Sequence, residues 1–402
     1  MTLERHQSLV LRGTLLVVSH KHHDVTTGGK YIVSGGFTKL KRQFACHAES
    51  VRLCVPVAAT SQDLDGLTYP SNVTVTPLPS RGAAWRRIAG LPKVLSILWR
   101  EVGRADLVYA MCPTDMGLLA LVLAKIRKRP VFISVDTDRA GISRLHAGTG
   151  LLGVVRSQLV RLYVNGTLKR FGGTCPAYFT GDLFLGPKPH WRQWIKTTVT
   201  SKELPEFVQS SQEALSSVRV VFVGRLQPEK NVPCLIEAVR ILQQKGVTVS
   251  LTIIGSGPER SRLEGECAQL EAGSFTFVDH IANSELLKSR FFGADVLVLP
   301  SLEERQGKVL LEAMACSIPV VAARAGGIPS VITNEENGLL FDPRSPEELC
   351  KCISLIAECP RTRAALVENG YAFAKEAALD ITVAKIMSEV IGFYGLPVRG
   401  LE

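Results

Sequence analysis

Two periodicities alternate along the chain. Short, strand-like runs rich in apolar residues recur at 14–19, 51–57, 73–76, 107–110, 130–135 and 175–180, and again at 220–223, 251–255, 275–278, 296–299, 320–323 and 338–341. The run 296–299 is wholly apolar, which suits a strand buried on both faces of a parallel sheet. Helical patterns lie between them, at 81–104, 116–126, 148–170, 232–244, 284–292, 308–316, 346–357, 361–375 and 381–393. In the first of these, Pro92 is a predicted kink or break, and Leu95, Leu98, Trp99 and Val102 form an apolar stripe beyond it. Strand and helix in alternation predict parallel α/β domains. The stretch 188–212 shows neither period and reads as a connection between two domains, and no repeat of solenoid length is present.

Charge supports the same division. Residues 1–200 hold 27 Lys and Arg against 11 Asp and Glu, a balance of +16, whereas residues 201–402 hold 20 against 26, a balance of −6. The first half is therefore suited to something acidic: anionic membrane lipid, a phosphate-linked acceptor or nucleic acid. No zinc finger, RNP-type aromatic motif or other nucleic-acid module accompanies the charge, so nucleic acid is not expected. The basic stretch 81–104, with Arg86, Arg87, Lys93, Arg100 and Arg104 beside its apolar stripe, has the composition of an interfacial membrane helix. A core-facing helix with a solvated basic face has the same composition. No apolar run approaches the ~18 residues of a membrane span, and the N-terminal residues do not read as a signal peptide, since Arg12 interrupts a short apolar segment. The expected location is the cytoplasm, with peripheral contact at the inner face of the membrane as a further expectation. The ten cysteines are accordingly read as reduced thiols. His20, His22 and His23 are read as polar surface, and no metal ligand set is expected.

Candidate chemistry concentrates in the second half. The stretch 295–323 reads strand, loop, helix, strand, so its loop lies at the carboxyl end of a parallel sheet, where open α/β sheets bind ligands. Glu304 stands in that loop and Glu312 in the helix, with seven residues between them. Glu312 is flanked by Leu310, Leu311, Ala313 and Met314, and a carboxylate in such company is costly unless paired. A ribose diol would satisfy both its oxygens; a salt-bridged or partly exposed Glu favoured by the helix dipole is the other reading. Upstream, Gly224 follows an apolar strand, and Arg225 and Lys230 sit in the loop entering the next helix. Two cations there can clamp a diphosphate, Arg bidentately and Lys as a point charge. In the first half, Gly35 and Gly36 could bring backbone amides close to a phosphate or sugar. Asp136 and Asp138 end the strand at 130–135 in a D-x-D pattern, which can hold a divalent ion on a diphosphate.

The spacing of Glu304 and Glu312, together with the flanking sequence Leu310 to Ile332, resembles the signature of retaining GT-B glycosyltransferases of family four, the glycosyl transferases group 1. The resemblance is strong from Val218 to about Tyr394 and weaker before it. It implies two Rossmann-like parallel-sheet domains facing a central cleft. Residues 1–200 would form an acceptor-binding domain, with a helix at 378–402 packing back on it, and residues 201–377 a nucleotide-sugar-binding domain. By resemblance, Arg225 and Lys230 neutralise the donor diphosphate and Glu304 positions the donor sugar with amides near Gly307 and Lys308. Glu312 then binds ribose, and Gly35 and Gly36 lie near the diphosphate. The implied reaction is metal-independent transfer of a sugar from a nucleoside diphosphate sugar to a glycan, lipid-linked or small-molecule hydroxyl, with retention and no further cofactor. Asp136 stands where relatives often place a His, and the Asn-Gly-Val-Asp turn common before the domain crossing is not found. A non-catalytic GT-B protein that binds a nucleotide sugar or a partner is the alternative, and an epimerase or phosphorylase of the same fold a further one.

Overall fold

The structure is a computed structural model, and it describes residues 9–19, 23–25, 31–32, 36–59, 69–79, 91–135, 162–181, 188–281 and 289–399. The chain divides into two compact units, the first made of Met1–Trp194 with Thr382–Glu402, the second of Ile195–Ile381.

In the first unit the central strands are β1 (Val10–Val18), β4 (Ala48–Ala59), β6 (Leu107–Cys112), β7 (Val131–Val135), β8 (Ala177–Phe179) and β9 (Trp191–Gln193). Two short strands, β2 (His23–Val25) and β3 (Tyr31–Ile32), extend one edge, giving the order β3-β2-β4-β1-β6-β7-β8-β9, and β5 (Val73–Leu78) also pairs with β4. The central pairings are parallel. Strand β9 falls within the stretch expected to be an irregular connection. Three residues are too few to show a period, and Trp191 is buried beside the Phe179 ring, which fixes them to the sheet edge.

Helices α1 (Gly36–Ala45), α2 (Leu91–Arg104) and α3 (Asp115–Ile126) belong to this unit, and residues 162–171 are helical as well. Thr114 caps α3, its hydroxyl accepting the Gly117 N–H at 3.0 Å. Pro92 sits in the first turn of α2, a position where its missing N–H costs nothing, and the expected helical residues 81–90 before it lie outside the described residues. The stripe expected on α2 is displaced: Val94, Leu98, Glu101 and Val102 are buried, while Trp99 is exposed.

The second unit is a six-stranded, wholly parallel sheet. Its strands are β10 (Ser217–Val223), β11 (Thr248–Ile254), β12 (Phe275–Val278), β13 (Val296–Leu299), β14 (Val320–Ala323) and β15 (Leu339–Phe341), in the order β12-β11-β10-β13-β14-β15. Helices α4 (Val232–Gln244), α5 (Arg260–Cys267), α6 (Lys308–Ala315), α7 (Pro346–Glu358) and α8 (Pro360–Glu376) connect or follow them. Strands β13 and β14 are buried at every residue, which is why their sequence shows no alternation. The order reverses at β10, because β11 and β12 lie to one side of it and β13 to β15 to the other. Such a switch point leaves a ligand crevice at the carboxyl ends of the strands. Helix α9 (Leu379–Tyr394) starts in the second unit and continues into the first, where Tyr394 donates its hydroxyl hydrogen to the Val131 carbonyl at 2.8 Å. The final strand, β16 (Val398–Arg399), pairs with β1.

Candidate active site at the carboxyl edge of the second sheet

The loop leaving β10 and the loop leaving β13 stand side by side at the switch point, since those strands are neighbours. Gly224 follows β10 directly, and its N–H donates to the Ile254 carbonyl at 3.0 Å. The chain at Gly255 comes so close that a Cβ there would lie 1.9 Å from the Gly224 oxygen, so only glycine fits. Arg225 is exposed. A single 3-10 turn, Pro228–Lys230, then brings Lys230 inward, and Asn231 ends it in the left-handed region at φ 52°. The Asn231 side-chain amide donates to the Pro300 carbonyl at 3.1 Å and to the Pro343 carbonyl at 2.8 Å. Leu302 N–H donates to the Glu229 carbonyl at 2.9 Å. The loops after β10, β13 and β15 are thus tied together by backbone carbonyls.

That fastening brings two of the expected residues into contact. The Lys230 ammonium is paired with the Glu304 carboxylate, and both side chains are largely buried, 13% and 16% exposed. Glu304 also accepts the Arg305 N–H at 3.1 Å. The next turn depends on Gly307, at φ 62°, where a Cβ would meet the Leu299 side chain at 2.6 Å. Lys308 then opens α6 with its side chain toward solvent.

Glu312 lies in the middle of α6 and is 3% exposed, so it is neither at the helix start nor at the surface. The Thr198 hydroxyl donates to its Oε1 at 2.8 Å. Nearby, the Lys196 N–H donates to Gln306 Oε1 at 3.1 Å, and both residues are buried. Among the described residues, the Ser301 hydroxyl and the Gln227 side-chain oxygen, one on each loop, are buried without a hydrogen-bond partner. Cys316, one turn beyond Glu312, has its thiol pushed up to about 12 by burial, with the Glu312 charge adding to the rise and Arg290 opposing it. That thiol is not poised as a nucleophile.

The arrangement therefore offers an exposed guanidinium, a Lys–Glu pair, two unpartnered buried polar atoms and a buried carboxylate along one sheet edge. Thr198, Gln306 and Asn231 join the residues expected from sequence. Thr198 stood in a stretch without periodicity, where nothing singled it out. Asn231, just before a helix, carried a recognisable helix-start signal. In the first unit, Gly36 opens α1, while Gly35, Asp136, Asp138, His20 and His22 lie outside the described residues. Among the described residues no group of three or more His, Cys, Asp or Glu could hold a metal ion.

Two parallel-sheet α/β units of this kind define the GT-B class of glycosyltransferases, and solved structures agree. Sucrose-phosphate synthase from Thermosynechococcus elongatus matches over 96% of this chain and 99% of its own, with a TM-score of 0.67 at 18% identity. HepE from Anabaena, solved in complex with UDP and glucose, matches over 94% and 99%, with a TM-score of 0.63 at 18% identity. Residues 205–373 match the family described as Glycosyl transferases group 1, and this part of the chain is a domain of that family. Among curated relatives, the sulfoquinovosyl transferase of Arabidopsis thaliana is 36% identical over 270 residues, 64% of this chain and 50% of its own. A D-inositol 3-phosphate glycosyltransferase of Corynebacterium glutamicum is 33% identical over 177 residues, 42% of each chain. The chain spans about half the length of the curated relatives it matches.

Proposed function

We propose that the protein transfers a sugar from a nucleoside diphosphate sugar to an acceptor hydroxyl, retaining anomeric configuration and using no metal ion. The observation that carries this reading is the Lys230–Glu304 pair at the switch point, with Arg225 open beside it and Glu312 buried behind. Departure of the diphosphate leaves negative charge on its oxygens and an oxocarbenium-like sugar. Arg225 and Lys230 are fixed cations for that charge, the role a divalent ion would otherwise take. Glu304 holds Lys230 in place and turns toward the donor sugar, and Glu312 receives the ribose hydroxyls. No side chain in this set is a nucleophile. The acceptor hydroxyl therefore attacks on the face the diphosphate leaves, and the departing phosphate oxygen takes its proton.

HepE is solved with UDP, so UDP-sugars lead the test, with GDP- and ADP-sugars beside them. A ligand that binds only the folded state raises the melting temperature by mass action. The expected result is a rise with one nucleotide sugar, equal with and without Mn²⁺, and an α- or β-linkage in the product that matches the donor by NMR. A rise that needs Mn²⁺ would overturn metal independence, and no rise with any donor would favour a protein that binds a partner without transfer.

The acceptor side of the proposal includes an anionic membrane. On α2 and the end of α3, Leu91, Trp99 and Ile126 are exposed among Lys93, Arg100, Arg104 and Lys128. The Arg127 guanidinium lies 4.5 Å from the Trp99 ring centre, which joins the two helices into one basic, apolar face. The one carboxylate of α2, Glu101, is turned inward. Such a face suits anionic headgroups with apolar side chains at the acyl boundary. Co-sedimentation with vesicles containing phosphatidylglycerol, lost in Trp99→Ala/Ile126→Ala and absent with neutral vesicles, is the expected result.

A further inference from the structure

We infer that Thr198 is a positioning residue for the donor site, aiming the Glu312 carboxylate at the nucleotide ribose; this rests on the ribose role proposed above for Glu312. A glutamate has three side-chain torsions, and burial among apolar residues does not choose between the orientations of its carboxylate. A fixed hydrogen-bond donor does. The Thr198 hydroxyl donates to Glu312 Oε1 at 2.8 Å, from a residue that is itself 6% exposed.

The segment carrying Thr198 is fastened along its length. Lys196 N–H donates to Gln306 Oε1 at 3.1 Å, and Val199 N–H to the Thr197 hydroxyl at 3.1 Å. The Val199 carbonyl accepts the Leu379 N–H at 2.9 Å, and Ser201 N–H donates to Asp380 at 2.8 Å. Thr200 and Glu203 close a capping box over the turn that follows. The hydroxyl is therefore held from both sides of Thr198, and it holds the carboxylate in turn. A hydrogen bond from Thr198 occupies one acceptor direction of Oε1 and fixes the plane of the group. A carboxylate held in one plane presents its two oxygens at a defined spacing, which is what a vicinal diol needs. Preset geometry lowers the cost of ordering the site when the ligand arrives.

The test measures UDP affinity by calorimetry, or that of the nucleoside diphosphate found by the donor panel, in four proteins: wild type, Thr198→Val, Glu312→Ala and the double variant. Thr198→Val keeps the shape and removes the donor; Thr198→Ala replaces it should the valine protein not fold. The expected result is about a tenfold loss of affinity in Thr198→Val, ~1.4 kcal/mol, with recovery in Thr198→Ser. In the Glu312→Ala background the same substitution has no further effect. Discrimination between UDP and 2′-deoxy-UDP narrows in Thr198→Val as well, which loss of stability alone would not produce. Equal losses in both backgrounds, or unchanged affinity in Thr198→Val while Glu312→Ala is impaired, would overturn the positioning role and leave the ribose role standing. Full affinity in Glu312→Ala, or no nucleotide binding by wild type, would overturn both.

Discussion

Among the described residues, each unit buries one glutamate in a helix, and the two are held differently. Glu101 on α2 is 4% exposed and meets two guanidinium groups, Arg52 at 3.1 Å and Arg100 at 3.0 Å. Glu312 on α6 is 3% exposed and is met by the hydroxyl of Thr198. The first arrangement cancels charge and joins α2 to β4, since Arg52 lies on that strand. The second orients a carboxylate at the edge of a sheet where ligands gather. Burial of a carboxylate is thus not by itself a sign of function. What distinguishes the two is the partner, and whether the group lies at the switch point of a parallel sheet.

The largest effects should separate the cations that serve these regions. Lys230→Ala removes a charge aimed at the departing diphosphate, and turnover should fall by about a hundred- to a thousandfold, ~2.7–4 kcal/mol in the barrier. Its melting temperature should fall as well, because Glu304 loses its partner in a largely buried site, so turnover is read per folded molecule. Arg52→Ala should lower the melting temperature and leave the rate per folded molecule near wild type. Steady-state kinetics beside thermal melts decide this, and equal activity losses in the two variants would erase the distinction.

Removing the carboxylates comes next in size. Glu312→Ala should weaken nucleotide binding by roughly ten- to a hundredfold, the ~1.5–3 kcal/mol of hydrogen bonds to a charged group. Glu101→Ala should cost about 1–2 kcal/mol of stability. That is less than the ~3–5 kcal/mol for breaking a fully buried pair, because Arg52 and Arg100 both reach solvent. Calorimetry on Glu101→Ala should return wild-type affinity; a loss there comparable with that of Glu312→Ala would mean that α2 also shapes the donor site.

The two glutamates also show what could be read from sequence. Glu312 announced itself through its apolar neighbours and its spacing from Glu304, and the strands around it were bounded nearly to the residue: 296–299 and 320–323 match β13 and β14. Buried parallel strands are legible because both faces must be apolar. Glu101 was not read as buried at all. The stripe expected on α2 ran through Leu95, Leu98, Trp99 and Val102, facing either core or membrane, whereas Val94, Leu98, Glu101 and Val102 form the buried face, because Arg52 and Arg100 neutralise the charge from a strand far away in sequence and from the adjacent position. Thr198 was invisible for a related reason. Its partner is 114 residues distant, and a segment held by scattered hydrogen bonds carries no period. Strand β9 went unread because three residues cannot display alternation.

The smallest effect concerns a buried thiol beside each carboxylate. Cys54 is pushed up to about 12, first by burial and then by the Glu101 charge, with Arg100 and Arg52 pulling the other way. Cys316 is pushed up to about 12 by burial, with the Glu312 charge adding to it and Arg290 opposing it. A raised value keeps the proton on sulfur, so at pH 8 only about one molecule in ten thousand carries the thiolate that alkylating reagents attack. Iodoacetamide at that pH should therefore label the exposed Cys46 in the folded protein and spare the other two, as read by mass spectrometry. Glu312→Gln removes an anion that raises Cys316, so its labelling should increase slightly at high pH while Cys54 stays unchanged. Glu101→Gln gives a sharper contrast. It removes an anion that raises Cys54 but leaves Arg52 and Arg100, which lower it, so Cys54 should gain reactivity more than Cys316 does in its own variant. Equal gains would mean that the two carboxylates sit in the same electrostatic surroundings, and the division between a neutralised glutamate and an oriented one would fail at its most local point.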